Sequence, residues 1–170
     1  MRILVVEDDK TFLEGLIPIL RGLGNDIEVI EARSKESAQT RLGAEFFDLI
    51  LLDLTIPTAD GLLDLNIRHG HAVFGSSIVL ARGMPVFFLT GSSAENVFPD
   101  LIAHARQVDV WGAGLSRPTV DYLPKSQLDK LTEKLKPIAE GVRALADVGL
   151  KRSGPGSSLS IGEDRIVCSA

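Results

Sequence analysis

The fold is decided by the stretch Phe47-Asp48-Leu49-Ile50-Leu51-Leu52-Asp53-Leu54-Thr55-Ile56-Pro57 of this 170-residue sequence. Its apolar centre is short and is bounded by a turn signal, a pattern typical of a strand buried on both faces of a parallel sheet. Pro57 cannot continue a central strand, so the chain turns there. Asp53 therefore lies where a strand meets its following loop, the edge at which open α/β sheets collect their ligands. An aspartate in this place is also a common turn residue, so the other strand ends decide between the two interpretations.

Strands and helices alternate along the rest of the chain, with about five of each. Besides the strand before Asp53, apolar and β-branched runs predict strands over 2–6, 85–90 and 120–123, and alternation of apolar and polar residues predicts one over 26–31. Helical spacing or capping residues predict helices over 12–23, from Ser34 to about 42, from near Gly61, from Ser92, and over 128–145. This order predicts an α/β fold, a doubly wound five-stranded parallel sheet with right-handed crossovers.

Two enlarged segments and the C-terminal region lie outside this regular pattern. The segments 62–84 and 107–118 precede the fourth and fifth strands, and the second has no clean period, as expected of a long loop or an insertion. Residues 153–162 are rich in Gly, Ser and Pro, a composition typical of a linker. We therefore expect a single domain over 1–148 and a tail or linker over 149–170. The apolar stripe of the last helix is the face expected to dock on the sheet. The alternative is that this stripe pairs with another helix, as it would in a homodimer.

Composition argues against several classes of protein. The formal net charge is −5 and there is no dense basic patch, which argues against direct nucleic-acid binding. Cys168 is the only cysteine, so neither a disulfide framework nor a thiolate metal cluster is expected. No apolar run approaches the roughly 20 residues of a membrane span, and the N-terminus lacks a signal-peptide core, so we expect a cytoplasmic protein. His69, His71 and His104 are interpreted as solvated residues and not as ligands.

Polar side chains follow four of the predicted strands. Glu7 and Asp8 follow the first, Asp53 the third and Lys125 the fifth, and Thr90 ends the fourth. If the sheet is parallel, all of them emerge at one edge, where converging carboxylates repel one another unless a cation lies among them. Such hard oxygen ligands suit Mg²⁺, which favours a phosphate partner. A lysine and a hydroxyl at the same edge could receive a phosphoryl group, with a carboxylate as the covalent nucleophile.

Four motifs in this order resemble those of the receiver domains of two-component response regulators, over residues 1 to about 148. The motifs are Ile3-Leu4-Val5-Val6-Glu7-Asp8-Asp9, Asp53-Leu54-Thr55-Ile56-Pro57 followed by Gly61, Leu89-Thr90-Gly91, and Tyr122-Leu123-Pro124-Lys125. The resemblance implies a flavodoxin-like receiver fold and a stand-alone signalling domain, not an enzyme in the usual sense. Its expected partners are a sensor histidine kinase or a phosphotransfer protein and a downstream protein effector. No DNA-binding output segment is recognised after residue 148, so output by protein contact is expected.

The resemblance also implies a role for each residue of the phosphoacceptor site. Asp53 would accept the phosphoryl group. Asp8 would bind Mg²⁺ directly and Glu7 through water, with Asp53 and the backbone carbonyl of Thr55 completing the metal site.

The same resemblance implies how the signal is produced. Thr90 would hydrogen-bond the phosphoryl oxygen, and Lys125 would pair with it. Tyr122 would then move inward as Thr90 moves, shifting the population between two packings. The sequence departs from the family in Ser126, where a proline is usual after the lysine, and in its long spacings from Gly61 to Pro85 and from Thr90 to Lys125.

Other functions fit the sequence less well. A pseudo-receiver, an interaction module without phosphotransfer, is the principal alternative. A flavodoxin-like cofactor binder would need a phosphate-binding loop after the first strand, where this chain has three acids. A haloacid-type phosphatase would have a second aspartate two residues after the nucleophile, where this chain has Thr55.

Overall fold

The computed structural model describes residues 1–80, 85–91, 107–108, 117–118, 120–147, 150–153, 158–161 and 164–166. Its strands are β1 (Arg2–Val6), β2 (Glu28–Ala32), β3 (Leu49–Leu52), β4 (Val86–Thr90), β5 (Gln107–Val108), β6 (Arg117–Pro118), β7 (Val120–Pro124), β8 (Leu150–Ser153), β9 (Ser158–Ile161) and β10 (Asp164–Ile166). Its α-helices are α1 (Lys10–Arg21), α2 (Lys35–Ala44), α3 (Ile67–Leu80) and α4 (Leu131–Asp147), and a 3₁₀ helix covers Lys125–Lys130.

The principal sheet has five parallel strands in the order β2-β1-β3-β4-β7. This arrangement confirms the predicted doubly wound α/β fold. The strands end nearly level: Val6 pairs with Leu52, Leu52 pairs with Phe88, and Thr90 pairs with Pro124. Residues that follow β1, β3 and β7 therefore emerge at one edge of the sheet.

Both faces of this sheet are buried, which explains why its central strands read as unbroken apolar runs. Alternate side chains point to opposite faces. On one face the sheet packs against α2 and α3 through a cluster that includes Leu4, Ile50 and Phe88, and on the other it packs against α1 and α4 through Ile3, Leu51 and Phe87. The two helical layers hold the strand ends in register, so the edge residues have a rigid support.

The third helix begins at Ile67, later than the sequence predicted, and residues 53–66 form a folded loop. Gly61 has a φ of +83°, a left-handed conformation that cannot belong to a right-handed helix. The first amides of α2 also bind this loop, since the N–H groups of Lys35 and Glu36 donate to the carbonyls of Pro57 and Thr58. These bonds from a distant element favour the loop over a helix that starts near Gly61.

The last helix, the segment before β7 and the C-terminal region also differ in part from the sequence predictions. The last helix is preceded by the 3₁₀ turn and begins at Leu131. Short strands β5 and β6 pair within the segment expected as a long loop or as an insertion with some structure of its own, and the pairing agrees with the second alternative. Strands β8, β9 and β10 form an antiparallel sheet in the region expected as a tail or linker. The helix predicted from Ser92 lies outside the described residues. In the described parts of the chain, no helix is both long and apolar enough to cross a bilayer.

Side chains hydrogen-bond the backbone of β7, the outer strand of the five-stranded sheet, at Tyr122. The N–H of Tyr122 donates to Asp121 Oδ1 at 2.7 Å, and the carbonyl of Tyr122 accepts from Lys134 Nζ at 3.4 Å. Lys134 also pairs with Asp121 at 3.1 Å. Both backbone polar groups of Tyr122 therefore have partners from within the chain.

Candidate functional site

Three strand ends bring the predicted site residues together. Glu7 follows β1, and its N–H donates to the carbonyl of Ala32 at 3.0 Å. Asp53 follows β3, and its N–H donates to the carbonyl of Val6 at 2.9 Å. Lys125 follows β7, and the register of β7 against β4 places Lys125 at the same edge of the sheet. The sheet itself therefore fixes the backbone of the site.

Lys125 joins two of the carboxylates. Its Nζ donates a hydrogen bond to Asp53 Oδ2 at 2.7 Å and also lies 2.7 Å from Glu7 Oε2. The second contact is an ion pair, so the two acids share one ammonium. The ammonium also lies 4.6 Å from the centroid of the Phe12 ring, a cation–π distance. Lys125 is thus held by two acids and an aromatic face.

Glu7, Asp8 and Asp53 form an acidic cluster beside this lysine. Each offers one carboxylate oxygen, and these oxygens lie within 4.8 Å of one another. One ammonium offsets only part of the negative charge of three carboxylates, so the cluster has charge left for a further cation to offset. Hard carboxylate oxygens in this arrangement fit Mg²⁺, which retains several of its waters. The residues present therefore fit a divalent cation.

Burial and mutual repulsion change the acidity of the cluster. Burial, and then the negative charge of Asp53, raise the pKa of Glu7 to about 7 against the opposing effect of Lys125. Burial is also the largest cause that raises the pKa of Asp8. Burial alone would lower the pKa of Lys125, but Asp53 and Glu7 outweigh it and the pKa is raised. The lysine therefore stays charged, while Glu7 takes up a proton readily when no other cation is near.

Asp53 has both oxygens engaged by the chain. Oδ2 accepts from Lys125, and Oδ1 accepts the N–H of Thr55 at 3.1 Å. The residue is 7% exposed, so its carboxylate lies at the floor of the site. These bonds fix the direction in which the carboxylate faces the acidic cluster. The ligand role predicted for the carbonyl of Thr55 stays a prediction.

The remaining predicted residues lie around this centre. Thr90 is the last residue of β4, and its side chain lies outside the described part of the structure. Tyr122 lies in β7 and is 40% exposed, so its ring is on the surface in this conformation. Ser126 lies in the 3₁₀ helix directly after Lys125. The proposed inward movement of Tyr122 is a prediction about another state.

Sequence reasoning missed two residues near the site. Phe12 reaches Lys125 because the Asp9 side chain accepts the N–H groups of Thr11 and Phe12, which sets the start of α1. The capping aspartate was the only sequence signal for this contact. The interpretation of His69 as solvated is wrong, since its Nδ1 lies 2.8 Å from the carbonyl oxygen of Ile56. The same interpretation is wrong for His71, whose Nε2 is buried, and His104 lies outside the described residues.

The sequence matches a known family and known proteins. Residues 3–136 match the family model of the response regulator receiver domain. The chain is 32% identical over 140 residues to the transcriptional activator protein PfeR of Pseudomonas aeruginosa, a match covering 79% of this chain. It is 33% identical over 94 residues to the phosphate regulon transcriptional regulatory protein PhoB of Klebsiella pneumoniae, covering 55% of this chain. Both matches cover only 37% of the length of the relative.

Solved structures show the same fold. A CheY-like response regulator receiver domain protein from Methanospirillum hungatei is 27% identical, with a TM-score of 0.58 and coverage of 84% of this chain and 97% of that one. The receiver domain of the sensor histidine kinase PA1611 from Pseudomonas aeruginosa, which holds a magnesium ion in its active-site cleft, is 20% identical. Its TM-score is 0.51, with coverage of 80% of this chain and 97% of that one. At this lower identity the second likeness concerns the fold alone.

Proposed function

The chain belongs to the response regulator receiver domain family, and on this basis we propose that Asp53 accepts a phosphoryl group from a sensor histidine kinase or a phosphotransfer protein. The observation that supports this most strongly is the contact of Lys125 Nζ with Asp53 Oδ2 at 2.7 Å. It brings together a buried carboxylate and a fixed cation beside an acidic cluster. The domain is a signalling domain and not a classical enzyme.

The proposed reaction is the transfer of a phosphoryl group to a carboxylate. An oxygen of Asp53 forms a bond to phosphorus while the bond from phosphorus to the donor nitrogen of a phosphohistidine breaks, and the electron pair leaves with the imidazole. The product is an acyl phosphate. Phosphoryl transfer depends mainly on positioning and on neutralising charge. Lys125 meets the second need at the attacking carboxylate, because its ammonium already contacts Asp53.

Mg²⁺, when bound, would neutralise further negative charge on the phosphoryl oxygens. We propose that Asp8 and Asp53 bind it directly, Glu7 through water, and Thr55 through its carbonyl. A carboxylate attracts the ion and its waters best when it is ionised, so the raised pKa of Glu7 makes metal binding depend on pH.

The proposed output is a change of surface read by another protein. Thr90 would bind the phosphoryl oxygen, and Tyr122, exposed in the present conformation, would move inward. The free-energy difference between the two packings would then change by the difference in how strongly each packing interacts with the phosphoryl group. A downstream protein effector would read the altered face.

Intact-mass spectrometry after incubation with acetyl phosphate and Mg²⁺ tests this proposal. We expect the mass of one phosphoryl group on the wild-type protein and none on Asp53→Asn. Asp48→Asn is a matched control, because Asp48 precedes the same strand and binds the N–H of Arg2 at the opposite edge. Label persisting in Asp53→Asn would refute the assignment. A wild-type protein that binds Mg²⁺ but takes up no label would instead be a pseudo-receiver.

A further inference from the structure

We infer that His69 is a positioning residue for the metal and phosphoacceptor site, because it anchors the loop on which Thr55 lies. This inference rests on the proposed function and extends it to a residue outside the acidic cluster. The decisive juxtaposition is that α3 binds the carbonyl groups on both sides of Thr55, while the N–H of Thr55 itself binds Asp53.

The first anchor is Gly70. Its N–H donates to the carbonyl of Leu54 at 3.2 Å. A Cβ at this position would overlap the carbonyl oxygen of Leu54 and would lie 2.5 Å from its Cα. Only glycine therefore lets the helix come this close to the peptide before Thr55.

The second anchor is the ring of His69. Its Nδ1 lies 2.8 Å from the carbonyl oxygen of Ile56. A carbonyl oxygen can only accept, so Nδ1 carries the proton of this bond. The N–H of Asn66 also donates to the same carbonyl at 3.1 Å. The Ile56–Pro57 peptide therefore has two donors, one from α3 and one from the residue before it.

The ring of His69 is itself oriented by the loop. Its Nε2 lies 3.2 Å from Thr58 Oγ1. Thr58 is in turn fixed by one carboxylate, because its N–H and its hydroxyl donate to Asp64 Oδ1 and Oδ2 at 3.0 and 2.6 Å. The half-buried ring is thus held through Nδ1 by the Ile56 carbonyl, and its Nε2 lies beside the fixed side chain of Thr58.

These contacts restrict the carbonyl of Thr55. Peptide units are planar, so fixing the carbonyls of Leu54 and Ile56 leaves little rotation for the unit between them. Loss of the His69 contact leaves the Ile56 carbonyl with the Asn66 N–H as its one remaining donor among the described contacts, so the Thr55 carbonyl is held less firmly in its direction. Groups that orient a metal ligand from behind typically contribute about 10-fold or more to metal affinity. We therefore expect His69 to affect Mg²⁺ binding without touching the ion.

Three variants test the inference. His69→Leu removes both ring contacts. His69→Asn keeps a donor near the position of Nδ1 and so retains the bond to Ile56. His71→Leu is the matched control, since it removes the same ring from the same helix, and His71 Nε2 has no hydrogen-bond partner among the residues that the structure describes. Two quantities are measured on the full chain: the Kd for Mg²⁺ by isothermal titration calorimetry, and hydrogen exchange of the Thr55 and Ile56 amides in the metal-free protein.

We expect His69→Leu to raise the Kd by about 10-fold and to accelerate exchange of both amides. His69→Asn should restore most of the affinity, and His71→Leu should leave both quantities unchanged. The inference is overturned if His69→Leu changes neither quantity, or if His71→Leu matches its effect. If the wild-type protein binds no Mg²⁺, the proposed function fails, and the exchange measurement still decides whether His69 holds the loop.

Discussion

Replacing Glu7 with glutamine should make the metal-free protein more stable at neutral pH. Glu7 has a pKa of about 7 in the folded protein, against the usual 4.5. A folded-state pKa above the unfolded one means that the folded state holds its proton more tightly. The stability from this group is therefore fully present below about pH 4.5 and is lost as the pH rises through about 7. Glu7→Gln stays neutral throughout and loses nothing over this range.

The size of the effect follows from the two pKa values. Between 4.5 and about 7, at about 1.4 kcal/mol per pH unit, the wild-type protein loses up to about 3 kcal/mol relative to the variant. Solvent screening removes little of this, because the Glu7 side chain is 2% exposed. The loss occurs only where Glu7 is ionised in the unfolded chain and protonated in the folded one.

Urea denaturation in EDTA at pH values from 5 to 8 measures the difference in unfolding free energy between the two proteins. We expect that difference to grow with pH in favour of Glu7→Gln and to level off above pH 7. A constant difference across the range would refute the reasoning, because burial and the charge of Asp53 would then not raise the pKa of Glu7. Addition of Mg²⁺ at pH 8 should stabilise the wild-type protein more than the variant.

Three further predictions concern other contacts of the site. Lys125→Met should bind Mg²⁺ more tightly than wild type in calorimetric titration, because no ammonium then competes for the acids, and an unchanged or weaker affinity would contradict this. Gly70→Ala should lower the unfolding free energy in urea by about 1–3 kcal/mol through overpacking, whereas Gly75→Ala, which has open space, should be neutral or slightly stabilising. Phe12→Leu should slow labelling by acetyl phosphate, because Lys125 loses its aromatic contact. Phe47→Leu is the control: it loses a cation–π contact at the opposite edge of the sheet and should lower stability but leave the labelling rate nearly unchanged. Equal slowing in both variants would argue against a specific role for the Phe12 ring.

Much of the fold could be predicted because burial on both sheet faces leaves a strong signal. β1 has the predicted limits, Arg2–Val6, since its apolar run is framed by charged residues. The meeting of Glu7, Asp53 and Lys125 followed from one rule, that parallel strands end at the same edge. These parts depend on local patterns and a single topological principle.

The loop after Asp53 could not be predicted in the same way. Its shape depends on amides of α2 that bind the carbonyls of Pro57 and Thr58, and on a left-handed glycine at Gly61. The contact of His69 with the Ile56 carbonyl depends on where α3 begins. Because the helix was predicted to start too early, the sequence did not predict this contact. Partners that are distant in sequence leave no periodic trace.

The bonded border of β7 has a consequence for assembly. Many sheets recruit other chains by adding a strand at an open edge, where unpaired peptide groups act as a template. Here an incoming strand would have to displace Asp121 and Lys134 from the peptide of Tyr122. Self-association by sheet extension is therefore disfavoured at this side, because it would cost the contacts that Asp121 and Lys134 make there.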